Sequence, residues 1–143
     1  MIYAVPFEAG HFASLNVQTD QAWLTRFATD EGLKALEGQH ACTWMDDGLP
    51  VACAGVIAYW EGRGMAWSFL SDGLRGAKML KATKEARAFL DGVPFRRLEA
   101  SVDVRFEKAH RWIRMLGFTM ETPLQRKFQI DGSDTVGYVR IKE

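Results

Sequence analysis

The sequence has little cysteine and lacks the residue spacing of a metal site. Its 143 residues include two cysteines, Cys42 and Cys53, and three histidines, with no C-x-x-C pair. Both cysteines lie in apolar, strand-like surroundings, which predicts reduced packing residues, with a disulfide as the alternative. The histidines and cysteines do not have zinc-site spacing, so we expect no metal. A nucleophile elbow and a phosphate-binding P-loop are also missing, which argues against those enzyme classes.

The sequence also lacks an excess of one charge and any long apolar run. Eighteen Lys and Arg residues balance eighteen Asp and Glu residues, which disfavours a protein that binds nucleic acid by neutralising phosphates. No uninterrupted apolar run reaches the roughly 18 residues that a membrane helix needs. The residues after Met1 lack the basic and long apolar regions of a leader peptide. We therefore expect a soluble, cytoplasmic protein that binds neither nucleic acid nor membrane.

No internal repeat, low-complexity tract or long linker divides the chain. A composition that is 48% hydrophobic and 25% charged is typical of a chain that buries one core. We expect a single domain over residues 1–143.

Hydrophobic spacing and turn residues predict an alternating order of strands and helices. Asp30 is the candidate N-cap within the second helical region, and Leu80 is assigned to the apolar side of the helix after Gly73. The predicted strands are 2–7, 41–45, 51–60, 65–70, 98–102, 119–128 and 134–141; the predicted helical regions are 8–16, 21–36, the segment from Gly73 to Gly92, and 105–116.

The most informative segment runs from Leu98 to Phe118. It begins with a short strand that directs Leu98, Ala100 and Val102 to one face. The following helix has an apolar stripe at spacings of three and four residues, and glycine then ends it because glycine tolerates a left-handed conformation. The stripe consists of Phe106, Ala109, Ile113 and Leu116, followed by Gly117 and Phe118.

This order of strand, helix, Leu-Gly-Phe and strand resembles the C-terminal half of GNAT acyl-CoA N-acyltransferases. The family helix reads Asn-x-x-Ala-x-x-x-Tyr-x-x-x-Gly-Phe, and Phe106 and Ile113 replace its Asn and Tyr. The resemblance implies an α/β (α+β) GNAT fold, with a central, mostly antiparallel mixed sheet of about six to seven strands flanked by about four helices. It also implies a lost proton donor, since the family Tyr often protonates the departing thiolate and Ile113 cannot.

The resemblance implies acetyl-CoA (coenzyme A) as cofactor, its phosphates held by a glycine-rich turn and a helix N-terminus. Aligning Gly76 with the last glycine of the family pattern leaves Ser71 and Leu74 as mismatches. A plain helix start capped by Ser71 or Asp72 is therefore the alternative. The implied cofactor-binding residues are Leu70, Gly73, Leu74, Arg75, Gly76, Ala77, Lys78 and Phe106.

Three residues are candidates for catalysis of acyl transfer. Glu61 lies in the turn where some family members place a general base, although a turn Glu is also typical of a solubilising residue. Glu99 lies on the strand that faces the cleft in the family, and a cross-strand charge partner is its alternative role. His110, whose imidazole titrates near neutrality, is the candidate acid or base, with an ordinary helix histidine as the alternative.

A narrower resemblance links Trp60 to Trp67, Ala109 to Trp112 and the Leu-Gly-Phe triplet with small GNAT-like proteins encoded by phages and prophages. Two functions follow. The first is an acetyl-CoA-dependent N-acetyltransferase acting on a small-molecule or protein amine. The alternative is a catalytically degenerate phage accessory or virion-associated protein of the internal core or assembly, located in the host cell cytoplasm. A homodimer and phage virion proteins are the further partners to consider.

Overall fold

The computed structural model describes residues 1–17, 28–38 and 40–143. Seven strands and four helices lie in these ranges, and none of these helices is long and apolar enough to cross a membrane. In chain order they are β1 (Ile2–Pro6), α1 (Ala9–Ser14), α2 (Asp30–Ala35), β2 (Ala41–Asp46), β3 (Leu49–Trp60), β4 (Arg63–Leu70), α3 (Gly76–Gly92), β5 (Arg97–Asp103), α4 (Glu107–Met115), β6 (Thr119–Gln125) and β7 (Thr135–Ile141).

The strands form one mixed sheet in the order β1-β2-β3-β4-β5-β7-β6. The pairs β1/β2, β2/β3, β5/β7 and β6/β7 are antiparallel. β4 and β5 pair in parallel, from Arg63 opposite Arg97 to Met65 opposite Glu99. The predicted mixed, mostly antiparallel sheet of about six to seven strands with about four helices is confirmed by the seven strands and four helices of the described ranges.

Contacts group the chain into two compact units. The first unit comprises Met1–Ile57 and Ala66–Glu85, and the second comprises Ala58–Met65 and Ala86–Glu143. β3, β4 and α3 each contribute residues to both units. The single domain expected from composition stays a prediction.

The core of the first unit contains aromatic rings and a buried thiol. Phe7, Leu15, Leu33 and Cys53 form its fully buried centre, against which Trp67 packs. Cys42 and Cys53 are free thiols, as predicted. Burial raises the pKa of Cys42 to about 12 and that of Cys53 to about 11, so both thiols stay protonated at neutral pH.

In the second unit, the two faces of β5 differ as its alternation predicts. Leu98, Ala100 and Val102 are buried, whereas the residues between them are polar and partly exposed. α4 ends in the predicted glycine turn: Gly117 has φ +94°, its N–H donates to the Arg114 carbonyl, and the Phe118 N–H donates to the Ile113 carbonyl. These two bonds satisfy carbonyls at the helix end and bring Phe118 into the core.

Two local predictions are wrong, and one lies partly outside the described residues. Thr29, rather than Asp30, caps α2, because its hydroxyl accepts a hydrogen bond from the Gly32 N–H. Leu80 is 53% exposed, since the buried face of α3 carries the small side chains of Ala82 and Ala86 instead. Residues 21–27 of the helix predicted over 21–36 are not described.

We expect Gly117→Ala to lower the free energy of unfolding by about 1–2 kcal/mol, because alanine pays a steric penalty in the left-handed conformation. Chemical denaturation followed by circular dichroism measures the change. Gly92→Ala, at the end of α3 where an added methyl group meets nothing within 4 Å, is the matched control and should be neutral within about 0.5 kcal/mol. Equal losses in the two variants would contradict the role of Gly117.

Candidate functional site

The turn after β4, in the first unit, is held together by its own backbone. The Ser71 N–H donates to the Val51 carbonyl at 2.9 Å, which keeps the end of β4 paired with β3. The Leu74 N–H donates to the Ser71 carbonyl at 3.2 Å, and the Gly73 N–H donates to the Ser71 hydroxyl at the same distance. Ser71 therefore organises the turn, but it does not cap α3, because its hydroxyl accepts from Gly73 and the helix begins only at Gly76.

The start of α3 presents backbone donors. The bond from the Met79 N–H to the Arg75 carbonyl, 3.4 Å long, is the first of the helix. The N–H groups of Gly76, Ala77 and Lys78 precede it, so helix geometry gives them no acceptor within α3. Gly76 has φ +58°, and a Cβ atom built on it meets nothing within 4 Å. Within the described residues, this helix end therefore has open amides, and its dipole is positive, which anions favour.

The side chains of this turn differ in how far they are exposed. Leu74, the mismatch in the family pattern, is only 7% exposed, because its side chain is buried in the first unit. Leu70 is buried as well. Arg75 is exposed, and its Nε donates to the Asp72 carbonyl at 3.2 Å. Gly73 is exposed next to them.

Lys78 is engaged with a carboxylate. Its Nζ lies 2.7 Å from an oxygen of Asp46, whose other oxygen accepts from the Met1 ammonium at 3.1 Å. The hydrogen bond with Lys78 holds the pKa of Asp46 below its usual value, and the same bond raises the pKa of Lys78. A phosphate bound by Lys78 would compete with Asp46.

His110, in the second unit, has partners on both ring nitrogens. Nε2 lies 2.9 Å from the Asp103 carbonyl oxygen, which only accepts, so the neutral ring carries its proton on Nε2. Nδ1 lies 2.7 Å from the Tyr138 hydroxyl and accepts its proton. Tyr138 is 2% exposed, so this bond is a buried contact between α4 and β7.

Apolar residues, Phe106 and Ile113, occupy the positions of the family Asn and Tyr, and both belong to the second unit. Phe106 is the N-cap residue of α4 and is half-buried, without a side-chain capping bond. Ile113 is 8% exposed and packs in the core. Neither side chain exchanges a proton.

The two glutamate candidates differ in their surroundings. Glu61 is exposed in the turn between β3 and β4. Glu99 accepts hydrogen bonds from both Arg63 and Arg97, and Arg97 also binds Glu121 through both terminal nitrogens. Hydrogen bonding to Arg63, more than to Arg97, holds the pKa of Glu99 below its usual value. This arrangement matches the charge-partner alternative and makes Glu99 a weak base.

A cavity of about 210 Å³ lies on the polar face of β5 and β7, entirely within the second unit. We call it the β5–β7 cavity. Its charged lining consists of Arg63, Arg97, Glu99 and Glu121, and its uncharged polar lining includes Ser101, Thr122 and Gln125. Tyr59, Met65 and Phe128 supply apolar surface. Ala100 and Tyr138 border it with their backbone, because as a cross-strand pair they direct their side chains to the opposite face.

Glu99 and Ser101 are the cavity residues that strand alternation identifies from the sequence, since they share one face of β5. The contributions of Gln125 and Gly137 were missed. Gly137 lies opposite Ser101 and Thr122, and a Cβ atom there would lie 2.9 Å from Gln125 Nε2. Such a position depends on strand pairing across 12 residues or more, which local sequence patterns do not report.

No protein-family model matches the sequence, and no curated protein is significantly similar to it. Solved structures are similar over nearly the whole chain. Ard1 from Thermoplasma volcanium has a TM-score of 0.77 at 15% identity, over 99% of this chain and 98% of that chain. The GNAT-family acetyltransferase from Streptococcus pneumoniae has a TM-score of 0.70 at 14% identity, over 99% of this chain and 100% of that chain. The ribosomal-protein-S18-alanine N-acetyltransferase from Escherichia coli has a TM-score of 0.72 at 14% identity, over 99% of this chain and 94% of that chain.

At these identities the likeness shows the fold, which is that of GNAT acetyltransferases. The fold expected from the Leu-Gly-Phe triplet is therefore confirmed. The roles of individual residues are a separate matter, because one fold supports many activities.

We expect His110→Ala to destabilise the protein by about 1–3 kcal/mol, because it leaves the buried Tyr138 hydroxyl without its acceptor. Tyr138→Phe should cost less, about 0.5–1.5 kcal/mol, since water reaches the half-buried imidazole. The double variant should lose less free energy of unfolding than the sum of the losses in the two single variants. Urea denaturation of the four proteins measures this coupling, and strict additivity would show that the bond contributes nothing.

Proposed function

We propose that the protein is an acyl-CoA-dependent N-acyltransferase, with acetyl-CoA as the cofactor and an amine as the acceptor. The observation that carries the proposal is the open N-terminus of α3 in a chain with the GNAT fold. Backbone amides bind phosphate whatever the side chains are, so the mismatches at Ser71 and Leu74 do not remove the site. The buried position of Leu74 supports this, because its side chain is withdrawn from the solvent from which a phosphate would approach.

The residues of the turn fit the phosphates of such a cofactor in two respects. The amides of Gly76, Ala77 and Lys78 supply donors, and Arg75 supplies an exposed guanidinium. Lys78 contributes positive charge that is already shared with Asp46. Phe106 remains the proposed contact from α4.

Acetyl-CoA supplies an acetyl thioester: the bond from the amine nitrogen to the acetyl carbon forms, the carbon–sulfur bond breaks, and coenzyme A leaves as the thiolate. The amine gives up one proton in this exchange. We assign that proton to water or to His110, whose Nδ1 is an acceptor in its bond with Tyr138. Glu99 is a poorer acceptor because two arginines stabilise its ionised form. Glu61, which is exposed, stays a candidate general base.

A module that keeps the fold without catalysis is the second candidate function. The apolar, buried Ile113 favours it, because the thiolate then has no proton donor at the family position. Released thiolate also takes a proton from solvent, so this residue alone does not exclude catalysis. Phage origin, contact with virion proteins and a homodimer stay predictions.

We expect isothermal titration calorimetry with acetyl-CoA and with coenzyme A to give micromolar binding at one site per chain. Gly76→Glu should abolish this binding, because the new carboxylate would lie where the phosphates bind. Gly76→Gln is the matched control: it has the same backbone strain and nearly the same volume, without the charge. It should keep most of the affinity.

Equal affinities of the Gly76→Glu and Gly76→Gln variants would show that the phosphates bind elsewhere. No binding to the unmodified protein at millimolar ligand would overturn the cofactor assignment and favour the non-catalytic module. Binding justifies a screen of amines in which the release of free thiol reports turnover.

A further inference from the structure

The charges in the lining of the β5–β7 cavity are balanced. The lining has two charged side chains of each sign: Arg63, Arg97, Glu99 and Glu121. Hydrogen bonds from Arg63 and Arg97 hold the pKa of Glu99 below its usual value, and hydrogen bonds from Arg97 lower the pKa of Glu121. All four groups are therefore ionised at neutral pH, and their charges sum to zero. A charged ligand would lose hydration here without meeting an excess of opposite charge.

The ion pairs of the cavity leave both donors and acceptors unused. A guanidinium has five N–H donors, and an ionised carboxylate accepts about four hydrogen bonds. Arg63 uses two donors on Glu99, whereas Arg97 uses one on Glu99 and two on Glu121. Within the described residues, Arg63 thus keeps three donors and Arg97 keeps two. Glu99 keeps about one acceptor site and Glu121 about two.

Gln125 adds two further donors from β6. Its Oε1 lies 2.6 Å from the Thr135 hydroxyl and 3.0 Å from the Ser101 hydroxyl. A separation of 2.6 Å is typical of an O–H donor and an oxygen acceptor, so Nε2 is the other end of the carboxamide. Nε2 has no hydrogen-bond partner in the part of the chain that the structure describes. The Thr122 hydroxyl, which also lines the cavity, can donate or accept.

Aromatic rings border these polar groups, and the cavity is small. Phe128 is 52% exposed and Tyr59 is 47% exposed, and both line the cavity. The face of an aromatic ring is electron-rich, so it attracts C–H groups that neighbouring oxygens polarise. The volume of about 210 Å³ lies below the roughly 300–1,000 Å³ of sites for drug-sized ligands. The cavity therefore suits one small ring that has a polar edge and an apolar face.

We propose that the β5–β7 cavity binds a neutral polyhydroxyl compound of the size of one sugar ring. A hydroxyl group both donates and accepts hydrogen bonds, so neighbouring hydroxyls pair with the unused donors of the arginines and Gln125 and with the unused acceptors of the glutamates. The C–H face of the ring packs against Phe128. Because all lining residues belong to the second unit and the ligand needs no amine, this inference does not rest on the proposed function.

The first test compares ring compounds that differ in their hydroxyl groups. The methyl glycosides of glucose, galactose and mannose direct the same hydroxyl groups differently, and tetrahydropyran-2-methanol keeps the ring with a single hydroxyl. We expect at least one glycoside to bind saturably, and tetrahydropyran-2-methanol to bind at least about tenfold more weakly, since it loses most of the hydrogen bonds. Changes in backbone amide NMR shifts measure the affinities, and those of Ser101 and Gly137 locate the ligand in the cavity.

The second test examines the charge of the ligand. In the glycoside that binds most tightly, the C6 hydroxymethyl group is replaced by a carboxylate in one analogue and by an aminomethyl group in another. We expect neither analogue to bind more tightly than the neutral glycoside, because the lining has no net charge to offset the lost hydration. Tighter binding of the anion that weakens with added salt would assign the cavity to carboxylates, and tighter binding of the cation would assign it to amines. Either result would overturn the inference.

A variant of the aromatic wall tests the packing of the ring. Phe128→Ala should weaken the glycoside about threefold or more, because the C–H face loses its aromatic contact. Ile130→Ala is the matched control: this neighbour in the same loop is 70% exposed and does not line the cavity, so the affinity should not change. Equal affinities of the two variants would contradict the packing against Phe128.

A second variant tests the free donors of Gln125. Gln125→Glu keeps an oxygen for the hydroxyls of Ser101 and Thr135 and replaces the N–H₂ group by a second acceptor. We expect it to weaken the glycoside about tenfold, and an unchanged affinity would contradict the role of Nε2.

The unmodified protein decides the inference even where a variant does not fold. If none of the three glycosides binds at its highest soluble concentration, or if tetrahydropyran-2-methanol binds equally well, the inference is wrong. Titration of the same preparation with coenzyme A tests the proposed function separately: coenzyme A binding without glycoside binding overturns this inference alone, and the reverse result overturns the cofactor assignment alone.

Discussion

The second unit depends on the strict alternation of β5. Because neighbouring side chains on a strand point to opposite faces, one seven-residue segment supplies both a core surface and a polar surface. Leu98, Ala100 and Val102 bury the first surface. Glu99 and Ser101 hold the second, where they meet the side chains of neighbouring strands. A shift of one residue would exchange the two surfaces, so packing and the cavity are maintained by the same constraint.

The start of α3 shows why a weak side-chain motif is compatible with the phosphate site that we propose. The donors that a phosphate needs are the N–H groups that every helix leaves without partners in its first turn. Ser71 keeps the turn closed through backbone and hydroxyl bonds, and Leu74 anchors it by burial. These two mismatches with the family pattern thus stabilise the turn. The site that we propose is a property of the backbone, since a Cβ atom at Gly76 would meet nothing within 4 Å.

The side chains that the family resemblance suggests for proton transfer have other partners in this protein. His110 links α4 to β7 through Tyr138, and Glu99 accepts hydrogen bonds from two arginines. A group held by such bonds must break one of them before it moves a proton, which adds to the barrier. The chemistry we propose therefore relies on positioning the amine and on solvent, rather than on a dedicated acid at the position of Ile113.

Local sequence patterns determined the elements of this protein: the alternation around Leu98, the helical stripe of α4 and the stop at Gly117 all depend on residues within a few positions of one another. The same patterns misjudged Leu80, because the buried face of a helix is chosen by what packs against it. Only the tertiary structure decided the partners of His110 and the orientation of Gln125, which depend on strands that are adjacent in space and distant in the chain. The physical reason is that backbone propensities act locally, whereas hydrogen-bond partners and cavities arise from strand register, which many weak contacts set together.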